Sequence, residues 1–173
     1  LLAAQDDWRG ARRVYAGLLA RDTTNAYLHA RLGYVSYQLK EDLDAIVHYE
    51  KALQLNPQDK GALLALTRVY LENDAPLSAK RSLDRLLWQH REEPDVWVRR
   101  GEIGVALEDY REAIGAYQMA TALGDTTAPV LRALGASYYL AGRFPEADTV
   151  LARAFRADDT HALTAYYLAM TRF

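Results

Sequence analysis

Cysteine is missing altogether from this sequence, which removes disulfides, thiolate metal sites and cysteine nucleophiles and leaves the compartment open. An excess of either charge is missing too. The 21 basic and 23 acidic residues are scattered along the chain and give a net charge of −2, so no basic footprint for nucleic acid is visible. No apolar run is long enough to span a bilayer, and no basic-then-apolar leader opens the chain. Neither nucleic acid nor membrane is therefore expected as a partner. Gly-rich phosphate loops, nucleophile elbows and zinc-binding helix motifs do not occur, and Gly101 and Gly104 make only a weak G-x-x-G. None of the four histidines, His29, His48, His90 and His161, has another three or four residues away, so neither metal nor cofactor is expected. Carboxylate pairs at Asp6-Asp7, Glu92-Glu93 and Asp158-Asp159 fall at turns, where capping and helix-dipole roles account for them. No catalytic residue is assigned.

What the sequence does contain is a ruler. Ala11, Ala45, Ala79, Ala113 and Ala147 follow one another at 34-residue intervals without insertion or deletion. With each alanine at position 20 of a unit, the chain reads as a partial repeat over 1–25, full repeats over 26–59, 60–93, 94–127 and 128–161, and a partial repeat over 162–173. A strict period of this size marks a solenoid, whose units bury their apolar faces only by stacking, so 1–173 is expected to be one such array. Strand-type alternation is absent and apolar residues follow a helical period, which makes the chain all-α. The five prolines agree. Pro57 falls between repeats, Pro94 and Pro129 open first helices, and Pro76 and Pro145 open second helices, where a missing N–H does no harm. Turns are expected near Asp74, Asp109 and Gly142.

The residues around the ruler carry a family pattern. Repeat 26–59 has Leu32-Gly33, Ala45, Tyr49, Ala52 and Pro57; repeat 94–127 has Trp97, Gly101, Tyr110, Ala113, Tyr117 and Ala120; repeat 128–161 adds Leu134-Gly135, Tyr138, Phe144, Ala147 and Ala154. This resembles the tetratricopeptide repeat along the whole chain. The resemblance implies a right-handed α-solenoid of tandem antiparallel helix pairs and a non-enzymatic protein-interaction scaffold. Small residues should sit where helices approach, with Gly33, Gly101 and Gly135 facing the position-20 alanines. His29, which stands where Trp97 stands in its repeat, should pack between helices. Repeat 60–93 departs furthest, with Thr67, Leu83 and Leu86 in place of glycine, an aromatic and alanine.

In this family the concave face is lined by the first helices, and a protein or peptide segment is expected to lie there. The row so obtained includes Tyr27, Tyr34 and Tyr37, then Arg68 and Glu72, then Glu102, Arg132 and Tyr139, and finally Tyr166 with Phe173. Tyrosine and arginine are favoured hot-spot residues. The same tyrosines could instead pack against neighbouring helices, and Arg68, Glu102 and Arg132 could pair with one another. The clamp that grips acidic chaperone tails needs lysine at position 5 and asparagine at position 9, then asparagine at position 6 of the next unit. Ala30, Tyr34 and Ala65 stand there instead, and no other register restores it. Trp88 is expected to pack against the turn or the following unit, with a partner site as the alternative.

Two other functions stay open at this level, an accessory segment of a larger catalytic or signalling protein and an RNA-binding helical repeat. The sequence starts within one repeat at Leu1-Leu2 and stops within another at Phe173, the pattern of a piece cut from a longer protein. Exposed apolar residues at these ends, including Leu163, Tyr166, Tyr167 and Met170, lead to an expectation of self-association.

Overall fold

The computed structural model describes residues 7–88 and 90–171; Leu1, Leu2, Asp6 and Phe173 lie outside them. The described residues form ten helices and no strand: α1 (Trp8–Leu19), α2 (Ala26–Gln38), α3 (Asp42–Leu55), α4 (Lys60–Glu72), α5 (Pro76–Leu87), α6 (Pro94–Ala106), α7 (Tyr110–Ala122), α8 (Ala128–Leu140), α9 (Phe144–Ala157) and α10 (Ala162–Met170). Every first helix starts at position 1 of its repeat and every second helix at position 17, so the alanine ruler fixes the helix starts. Among the described residues no helix is long and apolar enough to cross a membrane.

Local chemistry explains the boundaries. Asp7, Asn25, Asp59 and Asp109 cap α1, α2, α4 and α7, each accepting the backbone N–H three residues on at 2.8 to 3.1 Å. Pro94, Pro129 and Pro145 occupy the first turns of α6, α8 and α9. Between the two helices of each full repeat, position 15 turns left-handed: Lys40 at φ 62°, Asp74 at 53°, Glu108 at 57° and Gly142 at 73°. Only one of the four is glycine. Around Lys40 the N–H groups of Lys40 and Glu41 donate to Tyr37 O at 3.0 Å and Ser36 O at 2.9 Å, closing the helix end. The same pair of bonds recurs from Asp74 and Ala75 and from Gly142 and Arg143.

The chain divides into two compact units, with the boundary between Leu86 and Leu87 in the divergent repeat. In the N-terminal unit the core is built from Leu32, Val35, Ala45, Tyr49, Ala52, Leu63, Leu66 and Val69, with Thr67, Leu83 and Leu86 also buried. In the C-terminal unit Ala113, Ile114, Tyr117, Ala120, Leu131, Leu134, Tyr138, Ala147, Leu151 and Ala154 form one cluster. The alanines at position 20 are buried as expected, but the glycines at position 8 face a different residue. A Cβ on Gly33 would meet the Tyr49 ring at 2.9 Å, one on Gly101 the Tyr117 ring at 2.6 Å, and one on Gly135 the Leu151 side chain at 2.6 Å. Position 8 is therefore small because position 24 is large. The ruler alanine Ala113 is approached instead from Gly104, whose added Cβ would lie 2.8 Å from the Ala113 backbone nitrogen.

Candidate functional site

Helices α2 and α4 place the first-helix residues of the N-terminal unit, and there polar and aromatic side chains converge. Arg31 projects from α2 toward α1, where its Nε donates to the Tyr15 hydroxyl at 3.3 Å. Its guanidinium lies 5.7 Å from the Tyr15 ring centre and 5.4 Å from that of Tyr34, so two aromatic faces hold one cation. Trp8 meets Tyr34 edge-on with centroids 5.6 Å apart. Tyr27, at the start of α2, is 64 % exposed, and Tyr34 keeps an exposed flank.

One turn further, the Tyr37 hydroxyl donates to Glu72 Oε1 at 2.9 Å, joining α2 to α4, while Lys40 Nζ lies 5.4 Å from its ring centre. Burial and then this bond push the Tyr37 phenol up, with Arg68 pulling the other way. Arg68 also acts on the hydroxyl of Tyr49, which burial pushes up strongly. Arg31 and Arg68 belong to none of the ion pairs found among the described residues. Two guanidinium groups thus stand among tyrosines with Glu72 as the nearby carboxylate, already engaged by Tyr37.

The expected residues of the C-terminal unit are placed differently. Glu102 pairs with Arg99 on its own helix, and Arg132 faces Asp158 of its own repeat at 4.0 Å. Tyr139 packs between Phe144 and Tyr167 at centroid distances of 5.5 and 5.2 Å. Tyr166 leans on Tyr167 at 5.6 Å and stays 55 % exposed, as Leu163 and Met170 do in part, whereas Tyr167 is half-buried. Glu102 and Arg132 therefore take partners within their own repeats. Trp88 does not pack as expected. It is 83 % exposed and rims a cleft of about 500 Å³ with His90, Arg91, Glu92 and Glu93, in which His90 Nδ1 lies 2.6 Å from Glu93 Oε1.

Sequence reading missed Arg31 on α2 and the second-helix residues Trp8, Tyr15 and Tyr49 that act on Arg31 or Tyr34. The Arg31 and Tyr34 spacing of three residues was the available signal, since such pairs are neighbours on a helix. The ring of Tyr15 comes from the preceding repeat and has no local signal. Among the described residues, no group of three or more His, Asp or Glu side chains is arranged to hold a metal.

Comparison with known proteins gives a consistent result. Two tetratricopeptide-repeat family models match, over residues 43–99 and 26–59. No curated protein matches the sequence. Among solved structures, MamA is 21% identical over 91% of this chain and 92% of its own, with a TM-score of 0.85. YrrB, described as a TPR protein with an unusual peptide-binding site, is 22% identical over 93% of this chain and 83% of its own, with a TM-score of 0.80. TTC0263, a thermophilic TPR protein in Thermus thermophilus, is 18% identical over 99% and 93% of the two chains, with a TM-score of 0.72. At these identities the structural likeness establishes the fold.

Proposed function

Because the chain belongs to the tetratricopeptide-repeat family, whose members are generally non-catalytic scaffolds for protein partners, we propose that it grips a protein segment along the first-helix face of its N-terminal unit. The observation that carries this reading is the pair of guanidinium groups, Arg31 and Arg68, set among tyrosines without an ion-pair partner. A segment lying there meets exposed aromatic surface at Tyr27 and Tyr34, the hydroxyl of Tyr37, and an exposed cation at Arg68. YrrB, a relative in fold, is described as having a peptide-binding site, which supports the same class of ligand. Glu72 sets polarity, since its carboxylate disfavours an acidic side chain at its own end and favours one nearer Arg31. In the C-terminal unit, Glu102, Arg132 and Tyr139 are engaged in internal pairs, which leaves Tyr166 as the more exposed candidate there.

The test uses the chain as bait, identifies a protein it retains, and measures affinity for wild type and single variants. Tyr34→Ala and Arg68→Ala should each weaken binding by at least about 1 kcal/mol, close to fivefold, without loss of helicity. Lys51→Ala, on the exposed side of α3, serves as control. Equal losses in the control, or none in the face variants, place the ligand elsewhere.

A further inference from the structure

His29 and His48 are 19 residues apart in sequence, yet α2 and α3 bring their Nδ1 atoms to 3.2 Å, with ring centroids 5.4 Å apart. His29 is buried and His48 partly so. The protonation of this pair follows from its other contacts. His29 Nε2 lies 3.4 Å from Thr23 O, an atom that only accepts, so Nε2 carries a hydrogen. The C-terminal unit repeats this arrangement with an unambiguous donor. Trp97, at the same repeat position as His29, donates its indole N–H to Arg91 O at 2.7 Å, and Arg91 stands at the same repeat position as Thr23. A neutral imidazole has one hydrogen, so His29 Nδ1 is bare and accepts from His48 Nδ1–H. His48 Nε2 is left as the first atom to take a proton.

Acid therefore acts first at His48. The first proton, on His48 Nε2, leaves the bond between the rings intact but places a cation between helices. The bond depends on a bare His29 Nδ1, since a hydrogen there would set two N–H groups against each other at 3.2 Å. The charged groups acting on His48 are Arg12 of α1, which opposes its cation, and Asp44 of α3, which favours it. Arg12 is itself tied to Glu41 and Asp44. Burial first, and the neighbouring His29 next, hold His48 below its ordinary value of 6.5. The unfolded chain then binds more protons below that value, so this contribution to stability is present above it and fades as pH falls.

We propose that His29 and His48 form an acid-labile clasp, one shared hydrogen tying α2 to α3 at neutral pH and the charge that acid adds at His48 loosening these helices. The corresponding pairs elsewhere cannot titrate: Leu63 with Ser82, Trp97 with Ala116, and Leu131 with Val150. Loosening is thus confined to the N-terminal unit. Release of a segment held by Tyr34 and Tyr37, which α2 also carries, is a further consequence that rests on the proposed function. The clasp itself needs no partner.

The experiment is hydrogen exchange on the intact chain at about pH 7.5 and about pH 5.5, expressed as protection factors so that the intrinsic pH effect cancels. Protection in α2 and α3 should drop by up to about tenfold per pH unit for each extra proton taken up, while α6 to α9 hold theirs. In His29→Trp combined with His48→Ala, which copies the Trp97 and Ala116 pair, the drop should vanish. An equal drop in this variant, or none in wild type, overturns the proposal. Imidazole nitrogen NMR on wild type provides a check that needs no substitution. Hydrogens on His29 Nε2 and His48 Nδ1 support the clasp, and hydrogens on Nε2 of both rings overturn it.

Discussion

Gly101 and Gly115 sit inside neighbouring helices of the same unit, and replacing each by alanine should move stability in different directions. Alanine gains roughly 1 kcal/mol over glycine in a helix interior. At Gly115 nothing lies within 4 Å of the added Cβ, so the full gain is expected. At Gly101 the new carbon would stand 2.6 Å from two atoms of the Tyr117 ring. An unstrained carbon contact needs about 3.5 Å or more, so the ring must withdraw by about 1 Å. It has little room, because Tyr117 is buried in the cluster with Ile114, Leu134 and Ala120. Overpacking of this kind costs about 1–3 kcal/mol, which takes Gly101→Ala from neutral to about 2 kcal/mol destabilised. Urea unfolding followed by helical circular dichroism measures both, and a gap of about 2 kcal/mol corresponds to roughly 1 M between midpoints. If Gly101→Ala is as stable as Gly115→Ala, the opposition of positions 8 and 24 is refuted.

The left-handed turns make a second pair of opposite signs: Glu108→Gly should stabilise by about 0.5–1 kcal/mol and Gly142→Ala should destabilise by about 1 kcal/mol, read from thermal midpoints. Alkali should weaken the fold above the ordinary tyrosine value of 10.0, because buried Tyr49 and Tyr117 are pushed up and Tyr70, half-buried and bonded to Glu50, is pushed up to about 12. The folded chain then retains protons that the unfolded chain releases, and phenolate absorbance should show a late group of tyrosines that moves to ordinary values in denaturant. On the acid side, the donors Asn25, Arg143 and Thr160 hold the carboxyls of Asp22, Glu146 and Asp158 below their ordinary values. Stability should therefore fall as pH drops through that range, and Asp158→Asn should flatten part of the fall in urea midpoints. The exposed Leu163, Tyr166 and Met170 of α10 should make sedimentation concentration-dependent, and Tyr166→Glu should reduce that dependence.

Helix starts were legible in the sequence because capping residues such as Asn25, Asp59 and Asp109 and prolines such as Pro76 and Pro94 fall at the same two places in the repeat, although no single cap recurs in all of them. Packing partners were legible only in part. Alanine at position 20 and glycine at position 8 both read as small, but which large residue each accommodates depends on how one helix leans on the next, and Gly33 faces Tyr49 rather than Ala45. The candidate site was legible as residue types, not as connections. Tyr37 and Glu72 were chosen as neighbouring rows of one groove, and the fold joins them by a hydrogen bond across 35 residues. Arg31 has no local signal for its second aromatic face, because Tyr15 comes from the repeat before. Helical spacing gives no sign of the histidine pair, because it forms between two helices.

The recurring turn at position 15 also bears on how such a chain can be lengthened. Lys40 and Asp74 share nearly one backbone conformation although their side chains have opposite charge, so the bend is written in the hydrogen bonds around them rather than in residue type. A block running from residue 41 to residue 74 begins just after one such bend and finishes on the next. Spliced in tandem, it would present each junction with dihedral angles the chain already uses, leaving only side-chain fit to be adjusted. Growth by duplication of this half-offset block would break no side-chain helix cap and create no new loop.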